Sequence, residues 1–278
     1  MERLVDTVIF DVGGVLAENG RHTDFSKRFP PEHAEVVRAV LLGDYGADGD
    51  HPWHRCERGE IGVAQIQGLL APWAERAGMH LHGDEIEVLM EPGYSILDEM
   101  IERIGRLKSA GYRTALLTNT FAEYRPTMQQ VVPFENFDAV IESFAIGARK
   151  PEPAIYEATA QLLDVDHREI LYLDDFDQNL EPARALGWSV LHVTGLRQSL
   201  DALDVLAPMQ ISSAFPGQRV TLHMSDGASL HVAASLVMEN VDIVHQDFEG
   251  PPGGFIDVDG AEEVRLLNCS INGTSSDG

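Results

Sequence analysis

Four polar segments of the sequence supply carboxylates, a lysine, and hydroxyl and amide groups, each at or just past the end of a predicted strand. In chain order they are Phe10–Leu16, Leu116–Thr120, Arg149–Pro153 and Leu173–Asn179. In open α/β sheets, ligands bind beyond the carboxyl ends of the strands. We therefore expect these four segments to meet at one edge of a sheet and to form a single site.

Asp11 is the candidate nucleophile of that site. A carboxylate can attack phosphorus and form an acyl phosphate, which divides one hydrolysis into two displacements. A divalent cation that bridges the two groups offsets the repulsion between a carboxylate and a phosphoryl dianion. Mg²⁺ prefers oxygen ligands, and Asp174 and Asp175 supply further carboxylates. Gly13 and Gly14 permit a tight turn that lets the backbone approach a ligand.

The remaining polar groups suit the recognition of a phosphoryl group. Lys150, one of three lysines in the chain, provides a positive point charge. Thr118 and Asn119 provide hydrogen-bond donors at the end of another predicted strand. Together with Asp11, these residues indicate phosphoryl transfer from a small phosphorylated metabolite.

The elements that must position these residues follow from the hydrophobic pattern. Short, continuous, β-branched runs are typical of parallel strands buried on both faces. Such runs cover Thr7–Asp11, Arg113–Asn119, Asp138–Ile141, Ile170–Asp175 and Ser189–Val193. Helical patterns lie between them, at Ile96–Ala110, Ile155–Leu163 and Glu181–Leu186. Alternating strands and helices predict an α/β fold with a doubly wound, Rossmann-like parallel sheet.

Two regions depart from this alternation. Residues 17–92 are mostly helical in pattern, as in His33–Leu42 and Val63–Ala77, and are predicted to form a helical cap between the core segments 1–16 and 93–207. Residues 208–278 carry short apolar runs among Gly, Asn, Ser and Asp, and predict an all-β C-terminal segment. Two similar stretches in it place Asn240 and Asn268 at corresponding positions. This repeat fits a short parallel β-helix, and a small antiparallel β domain fits the composition equally.

The amino-acid composition and net charge limit the classes of molecule that we expect the protein to bind. The chain of 278 residues has 45 acidic and 20 basic side chains and a net charge of −25. So negative a surface repels phosphate backbones, which argues against nucleic acid and anionic membranes as partners. The two cysteines are far apart, and no basic segment with a long apolar run begins the chain, so we expect a cytoplasmic protein. A monomer or a homodimer is compatible with these observations.

The four ordered segments resemble those of the haloacid dehalogenase-like hydrolase superfamily. They are most similar to its capped phosphatases, such as bacterial alpha-glucose-1-phosphate phosphatases and the N-terminal phosphatase domain of soluble epoxide hydrolases. The resemblance extends from Asp6 to Val193 and includes Glu57–Ile61 in the predicted cap. It does not cover residues 208–278.

The resemblance implies a role for each matching residue. Asp11 is the nucleophile and a metal ligand, and the carbonyl of Gly13 is a second ligand of Mg²⁺. Asp175 is the acidic metal ligand, with Asp174 as its neighbour or a further ligand. The residues implied in binding or orienting the phosphoryl group and its loop are Thr118, Asn119, Lys150 and Asn179. Arg149, beside Lys150, is a further candidate for binding a substrate phosphate, and simple exposure to solvent is the equal alternative.

Gly13 departs from the pattern of most phosphatases in the superfamily. They carry at this position a second aspartate, which protonates the leaving oxygen and then activates water. General acid–base catalysis of this kind contributes about 10²–10⁴-fold. Either the substrate has a good leaving group, such as an anomeric sugar phosphate or an acyl phosphate, or Asp177 or a cap histidine substitutes, or activity is weak. We favour a sugar phosphate; the alternatives are a non-catalytic scaffold that binds a phosphorylated ligand and, less favoured, a 2-haloacid dehalogenase.

Histidines of the predicted cap offer a second candidate metal site. His51, His54 and Cys56 are close in sequence, as are His80 and His82. No fourth ligand has suitable spacing for zinc, so we expect solvated histidines instead.

Overall fold

The computed structural model describes residues 5–18, 31–44, 49–78 and 95–207, together with short C-terminal strands within 209–274. The chain divides into two compact units, Met1–Leu196 and Arg197–Gly278. No described helix combines the length and apolar character needed to cross a membrane.

A five-stranded parallel sheet forms the centre of the first unit. Its strands are β1 (Thr7–Phe10), β4 (Arg113–Thr118), β5 (Ala139–Glu142), β6 (Ile170–Asp174) and β7 (Ser189–His192). Their order is β5-β4-β1-β6-β7, so β1 is central, with β4 and β6 as its parallel neighbours. The prediction of a parallel α/β sheet is confirmed, and each of the five predicted strands ends within one residue of the observed strand.

Helices flank this sheet and connect its strands. They are α4 (Asp98–Ser109), α5 (Arg125–Met128), α6 (Ser143–Ile146), α7 (Pro153–Leu163) and α8 (Asp177–Ala185). One face of the sheet packs against α7 and α8 through a cluster that includes Ile9, Tyr156 and Tyr172. Val8 and Phe10 are also fully buried. Because successive side chains of a strand point to opposite faces, both faces of β1 lie in the core.

In the described part of the interval between β1 and α4 there are three helices. They are α1 (Pro31–Leu42), α2 (Pro52–Glu57) and α3 (Val63–Arg76). The two ends of the interval form a short antiparallel strand pair, β2 (Ala17–Glu18) with β3 (Ser95–Ile96). Its register brings the two ends of the insertion together. The inserted helices therefore leave and re-enter the sheet domain at one place.

The second unit contains nearly all of α9 (Leu196–Leu206), and its other described elements are strands that pair in parallel. The strands are β8 (Met209–Ser212), β9 (Val220–Met224), β10 (Leu230–His231), β11 (Ser235–Glu239), β12 (Val241–Gln246), β13 (Ile256–Asp257), β14 (Glu263–Leu267) and β15 (Ser270–Thr274). They form parallel sheets ordered β14-β11-β8, β15-β12-β9 and β10-β13. Asn240 and Asn268, which suggested the repeat, lie outside the described residues.

Candidate active site

The site lies at the carboxyl edge of β1, β4 and β6. Phe10, the last residue of β1, is level with Leu116 on β4 and Leu173 on β6. The next backbone amide, that of Asp11, donates to the carbonyl oxygen of Leu173 at 2.9 Å. This bond continues the pairing by one residue and places Asp11 beside the end of β6.

Lys150 lies between two of the carboxylates. Its Nζ is 2.9 Å from Oδ1 of Asp11 and 2.7 Å from Oδ2 of Asp174. Burial lowers the pKa of Lys150, but the charges of Asp11 and Asp174 outweigh this effect and hold the pKa above its ordinary value. The lysine is therefore a permanent cation beside the candidate nucleophile.

Asp11, Asp174 and Asp175 form a cluster whose negative charge one lysine does not balance. One carboxylate oxygen from each lies within 4.8 Å of the others. Burial raises the pKa of Asp11 to about 7; the Lys150 ammonium opposes this shift, and the two other carboxylates add to it. Three oxygen donors with excess negative charge match the ligands that Mg²⁺ prefers. The donor set therefore fits a divalent cation.

Hydrogen bonds already engage both oxygens of Asp174. Oδ1 accepts from the backbone amide of Phe176 at 2.8 Å, and the side-chain amide of Asn179 donates to both oxygens. Oδ2 also accepts from the hydroxyl of Tyr172 and from Lys150. Asp174 thus orients Lys150 and the loop that follows β6.

Asp175 lies against the turn that follows Asp11. Gly14 has a φ of +69°, and a Cβ at this position would overlap the Asp175 carboxylate. A residue with a side chain would therefore both strain the backbone and displace a candidate metal ligand. The preceding residue, Gly13, lies in the same turn and makes a parallel bridge with Ala17.

Thr118 and Asn119 come to the same edge from β4. Thr118 is the last residue of the strand and is buried. The Asn119 side chain donates to the carbonyl of Lys150 at 3.0 Å and accepts from its amide at 2.8 Å. Asn119 therefore fixes the backbone of the segment that carries Lys150, a role that spacing in the sequence did not indicate.

Arg149, a candidate substrate ligand for which exposure to solvent was the alternative, is fully buried and therefore not exposed. Its Nε donates to Oε2 of Glu57 on α2 at 2.6 Å. Neither Glu57 nor Tyr172 was among the candidate residues. Tyr172 precedes Asp174 by two positions on one strand, so period-two alternation could have identified it. No comparable sequence signal links Glu57 to Arg149, which lie 92 positions apart.

The prediction of solvated cap histidines is wrong for His51 and His54, which are both buried. Nε2 of His51 lies 3.2 Å from the carbonyl oxygen of Val40, and Nε2 of His54 lies 3.0 Å from that of Leu42. Burial lowers the pKa of His51 to about 4 and that of His54 to about 3. These rings pack α2 against the end of α1. His22, His80 and His82 lie outside the described residues.

Comparison with known proteins identifies a matching family and several similar proteins. A family model described as haloacid dehalogenase-like hydrolase matches residues 5–187. "Bifunctional epoxide hydrolase 2" of Rattus norvegicus is 32% identical over 74% of the chain, which spans only 39% of that protein's length. "Sesquiterpene phosphatase astK" of Aspergillus oryzae is 26% identical over 67% of the chain and 88% of its own length. The fold also matches a Bacteroides thetaiotaomicron family enzyme solved with magnesium and inorganic phosphate, with a TM-score of 0.50, 22% identity, and coverage of 67% of this chain and 93% of that one.

Proposed function

We propose, since this chain belongs to the haloacid dehalogenase-like hydrolases, that it is a Mg²⁺-dependent phosphatase of a small phosphorylated metabolite. The observation that carries the proposal is the Asp11 carboxylate held 2.9 Å from Lys150 within a cluster of three aspartates. Curated relatives described as phosphatases support it.

The reaction begins at Asp11. One carboxylate oxygen attacks phosphorus, the bond from phosphorus to the leaving oxygen breaks, and an aspartyl phosphate forms. Water then attacks the phosphorus of this intermediate, which returns the Asp11 carboxylate and releases inorganic phosphate. Lys150 orients the nucleophile through its ion pair and holds positive charge beside the transferring group.

Asp11, Asp175 and the carbonyl of Gly13 are the proposed metal ligands, with Asp174 beside them. The cation, when bound, neutralises charge between nucleophile and phosphoryl oxygens. The hydrogen bonds that engage both oxygens of Asp174 favour Asp175 over Asp174 as the direct ligand. Thr118 and Asn119 flank the phosphoryl position, and Asn179 orders the loop around it through Asp174.

Of the groups suggested as substitutes for an acid at Gly13, those in the described part of the chain are already engaged in other contacts. His51 and His54 are neutral at physiological pH and bonded to backbone carbonyls, so they do not supply a proton. Asp177 pairs with Arg184 at 3.1 Å. We therefore favour a substrate whose leaving group departs without protonation, an anomeric sugar phosphate or an acyl phosphate.

Phosphate release from a panel of substrates tests the proposal. The panel holds acetyl phosphate, glucose-1-phosphate, glucose-6-phosphate, a nucleoside monophosphate and a nitrophenyl ester, each with and without Mg²⁺. We expect turnover that requires Mg²⁺, is fastest with the first two substrates and is lost in Asp11→Asn. Full activity in that variant or in EDTA contradicts the mechanism. Absence of turnover by the folded wild type on the whole panel favours a scaffold that binds a phosphorylated ligand.

We also propose that residues 208–278 form a short parallel β-helix. β11 pairs in parallel with both β8 and β14, and β12 pairs in parallel with both β9 and β15, at offsets of 21 to 28 positions, and such stacking of parallel strands supports the proposal. Because this segment lies beyond residues 5–187 of the family match, its proposed role is interaction rather than catalysis.

A further inference from the structure

The short segment that carries Lys150 is held from two sides. On one side, Asn119 bonds both backbone groups of Lys150. On the other side lies α2, one of the helices inserted between β1 and α4. The segment therefore has its position set partly by the sheet domain and partly by the insertion.

The stronger contact with the insertion is a buried ion pair. Nε of Arg149 is 2.6 Å from Oε2 of Glu57, and the two side chains are 0% and 2% exposed. The other oxygen of Glu57 accepts from Nε1 of Trp53 at 2.9 Å. Removing one partner of such a pair leaves an uncompensated buried charge, which is strongly unfavourable. Arg149 therefore remains fixed to α2 while its neighbour Lys150 faces Asp11.

A second ion pair lies on the far side of Lys150. Arg58, which follows α2 directly, donates to Oε1 of Glu152 at 2.9 Å. The other oxygen of Glu152 accepts from the backbone amide of Arg149 at 3.2 Å. Lys150 thus lies between two residues, Arg149 and Glu152, that are each bonded to α2 or to the residue directly after it.

The same helix also touches the loop that follows Thr118. The ring of Trp53 packs edge-on against Phe121, with centroids 5.1 Å apart. Gly59 lies against the carbonyl oxygen of Phe144, where a Cβ would come within 2.6 Å. Because α2 contacts the loop after β4 and the Lys150 segment, a movement of this helix displaces both together.

We propose that Glu57 is a positioning residue that sets the distance between Lys150 and Asp11 by holding Arg149. Its catalytic consequence rests on the proposed function, whereas the mechanical link between α2 and the Lys150 segment does not. Misplacement of a reacting group by about 1 Å can lower a rate about 100-fold. The inserted helix therefore takes part in assembling the nucleophile's surroundings.

The test compares Glu57→Gln with Arg55→Gln. Arg55 is on the same helix, and its ion pair with Glu60 at 3.1 Å stays within the insertion and is partly exposed. Two readouts are measured on the full chain: hydrogen–deuterium exchange of a peptide that spans residues 147–153, and kcat and KM on the best substrate of the panel. For Glu57→Gln we expect faster exchange in this peptide and kcat lowered at least about 10-fold with KM changed less than about twofold. For Arg55→Gln we expect neither change.

Conservative variants separate positioning from a general loss of structure. Glu57→Asp keeps the charge, so we expect kcat to recover above that of Glu57→Gln. Arg149→Lys keeps a cation without the planar group, and it replaces Glu57→Gln as the test variant if the latter does not fold. Unchanged exchange and kcat in the folded test variant, or equal changes in Arg55→Gln, overturn the proposal. If the wild type turns over nothing but exchange still rises in Glu57→Gln, the phosphatase proposal fails and the link to α2 stands.

Discussion

Asp174 gives the best example of how much a single side chain can organise. Its carboxylate accepts hydrogen bonds from four groups: the Lys150 ammonium, the Tyr172 hydroxyl, the Asn179 side-chain amide and the Phe176 backbone amide. Tyr172 is fully buried, and burial, followed by the charge of Asp174, raises its pKa well above the ordinary value. The phenol therefore stays protonated and acts as a permanent donor. Its donation holds Asp174 in the geometry that Lys150 requires.

Tyr172→Phe is expected to lower kcat by about 10-fold, because it removes a buried hydrogen bond to a charged group, typically worth about 1.5–3 kcal/mol. Tyr156→Phe is the matched control. Tyr156 packs in the same aromatic cluster, but its hydroxyl donates to the carbonyl of Asn179 rather than to a carboxylate. Steady-state kinetics and urea denaturation of both variants provide the measurement. Equal losses of kcat in the two would show that Tyr172 acts through packing alone.

The buried histidines predict a pH dependence of stability. The pKa values of His51 and His54 are about 4 and 3 in the folded chain, against 6.5 for an ordinary histidine. Below pH 6.5 the unfolded chain binds protons at these sites that the folded chain does not. The free energy of unfolding therefore falls as the pH drops from about 6.5 toward about 4, by at most about 1.4 kcal/mol per pH unit and per histidine.

Urea denaturation at pH 7.5 and pH 5.5 measures this loss. We expect His54→Gln to be less stable than the wild type at pH 7.5 and to lose less stability between the two pH values. Ile141→Val, a small change in the buried core of the sheet domain that removes no titratable group, should keep the wild-type pH dependence. A pH dependence in His54→Gln that matches the wild type would contradict the assignment.

At the scale of elements, the backbone conformation of the turn after β1 affects the position of Asp175, a proposed metal ligand. Gly14→Ala forces a side chain into a positive φ and onto the Asp175 carboxylate. Gly78 has nearly the same φ, +71°, but a Cβ there meets nothing within 4 Å. Both substitutions should lower stability by about 1–2 kcal/mol through backbone strain.

Only Gly14→Ala should also weaken Mg²⁺ binding, by at least about 10-fold. The shift in melting temperature on adding Mg²⁺, or titration calorimetry, measures this. Equal Mg²⁺ affinity in the Gly14→Ala and Gly78→Ala proteins would argue against Asp175 as a ligand.

The strands could be predicted from the sequence because each is a short, doubly buried run. The strand order could not, since a run of apolar residues carries no information on its neighbour in the sheet. Helix α8 begins at Asp177, four residues before the predicted start, because its first three residues are polar and break the apolar stripe, even though the third of them, Asn179, is buried against Asp174. Helix α2 was not predicted, since its six residues are too few to show a period.

Only part of the candidate site could be predicted from the sequence, because the sequence indicates where strands end but not how separate elements pack. Asp11, Lys150 and the aspartate pair each end or follow a strand, so their meeting is a consequence of parallel topology. The contact between Arg149 and Glu57 depends instead on how the insertion packs on the sheet domain. That packing is set by side-chain shape in three dimensions, which a linear pattern does not record.

For the whole molecule, net charge is expected to influence encounter with substrate. A net charge of −25 repels an anionic phosphate ester before it reaches the site. Added monovalent salt screens this repulsion, with a Debye length of about 30 Å at 0.01 M and about 8 Å at 0.15 M. At constant saturating Mg²⁺, kcat/KM should therefore rise two- to threefold over that range while kcat changes little. A fall in kcat/KM with salt would indicate that local cations, rather than the whole surface, govern encounter.

The position of β1 at the centre of the sheet also determines how the protein is made. Asp11 leaves the ribosome 163 residues before Asp174, and β1 needs both β4 and β6 as neighbours. At about 5–20 residues per second, translation takes about 8–30 s to supply the second of them. Through that time the nascent chain presents an apolar strand with an open edge. We therefore expect synthesis in the presence of chaperones that bind nascent chains to give a higher yield of folded protein than synthesis without them.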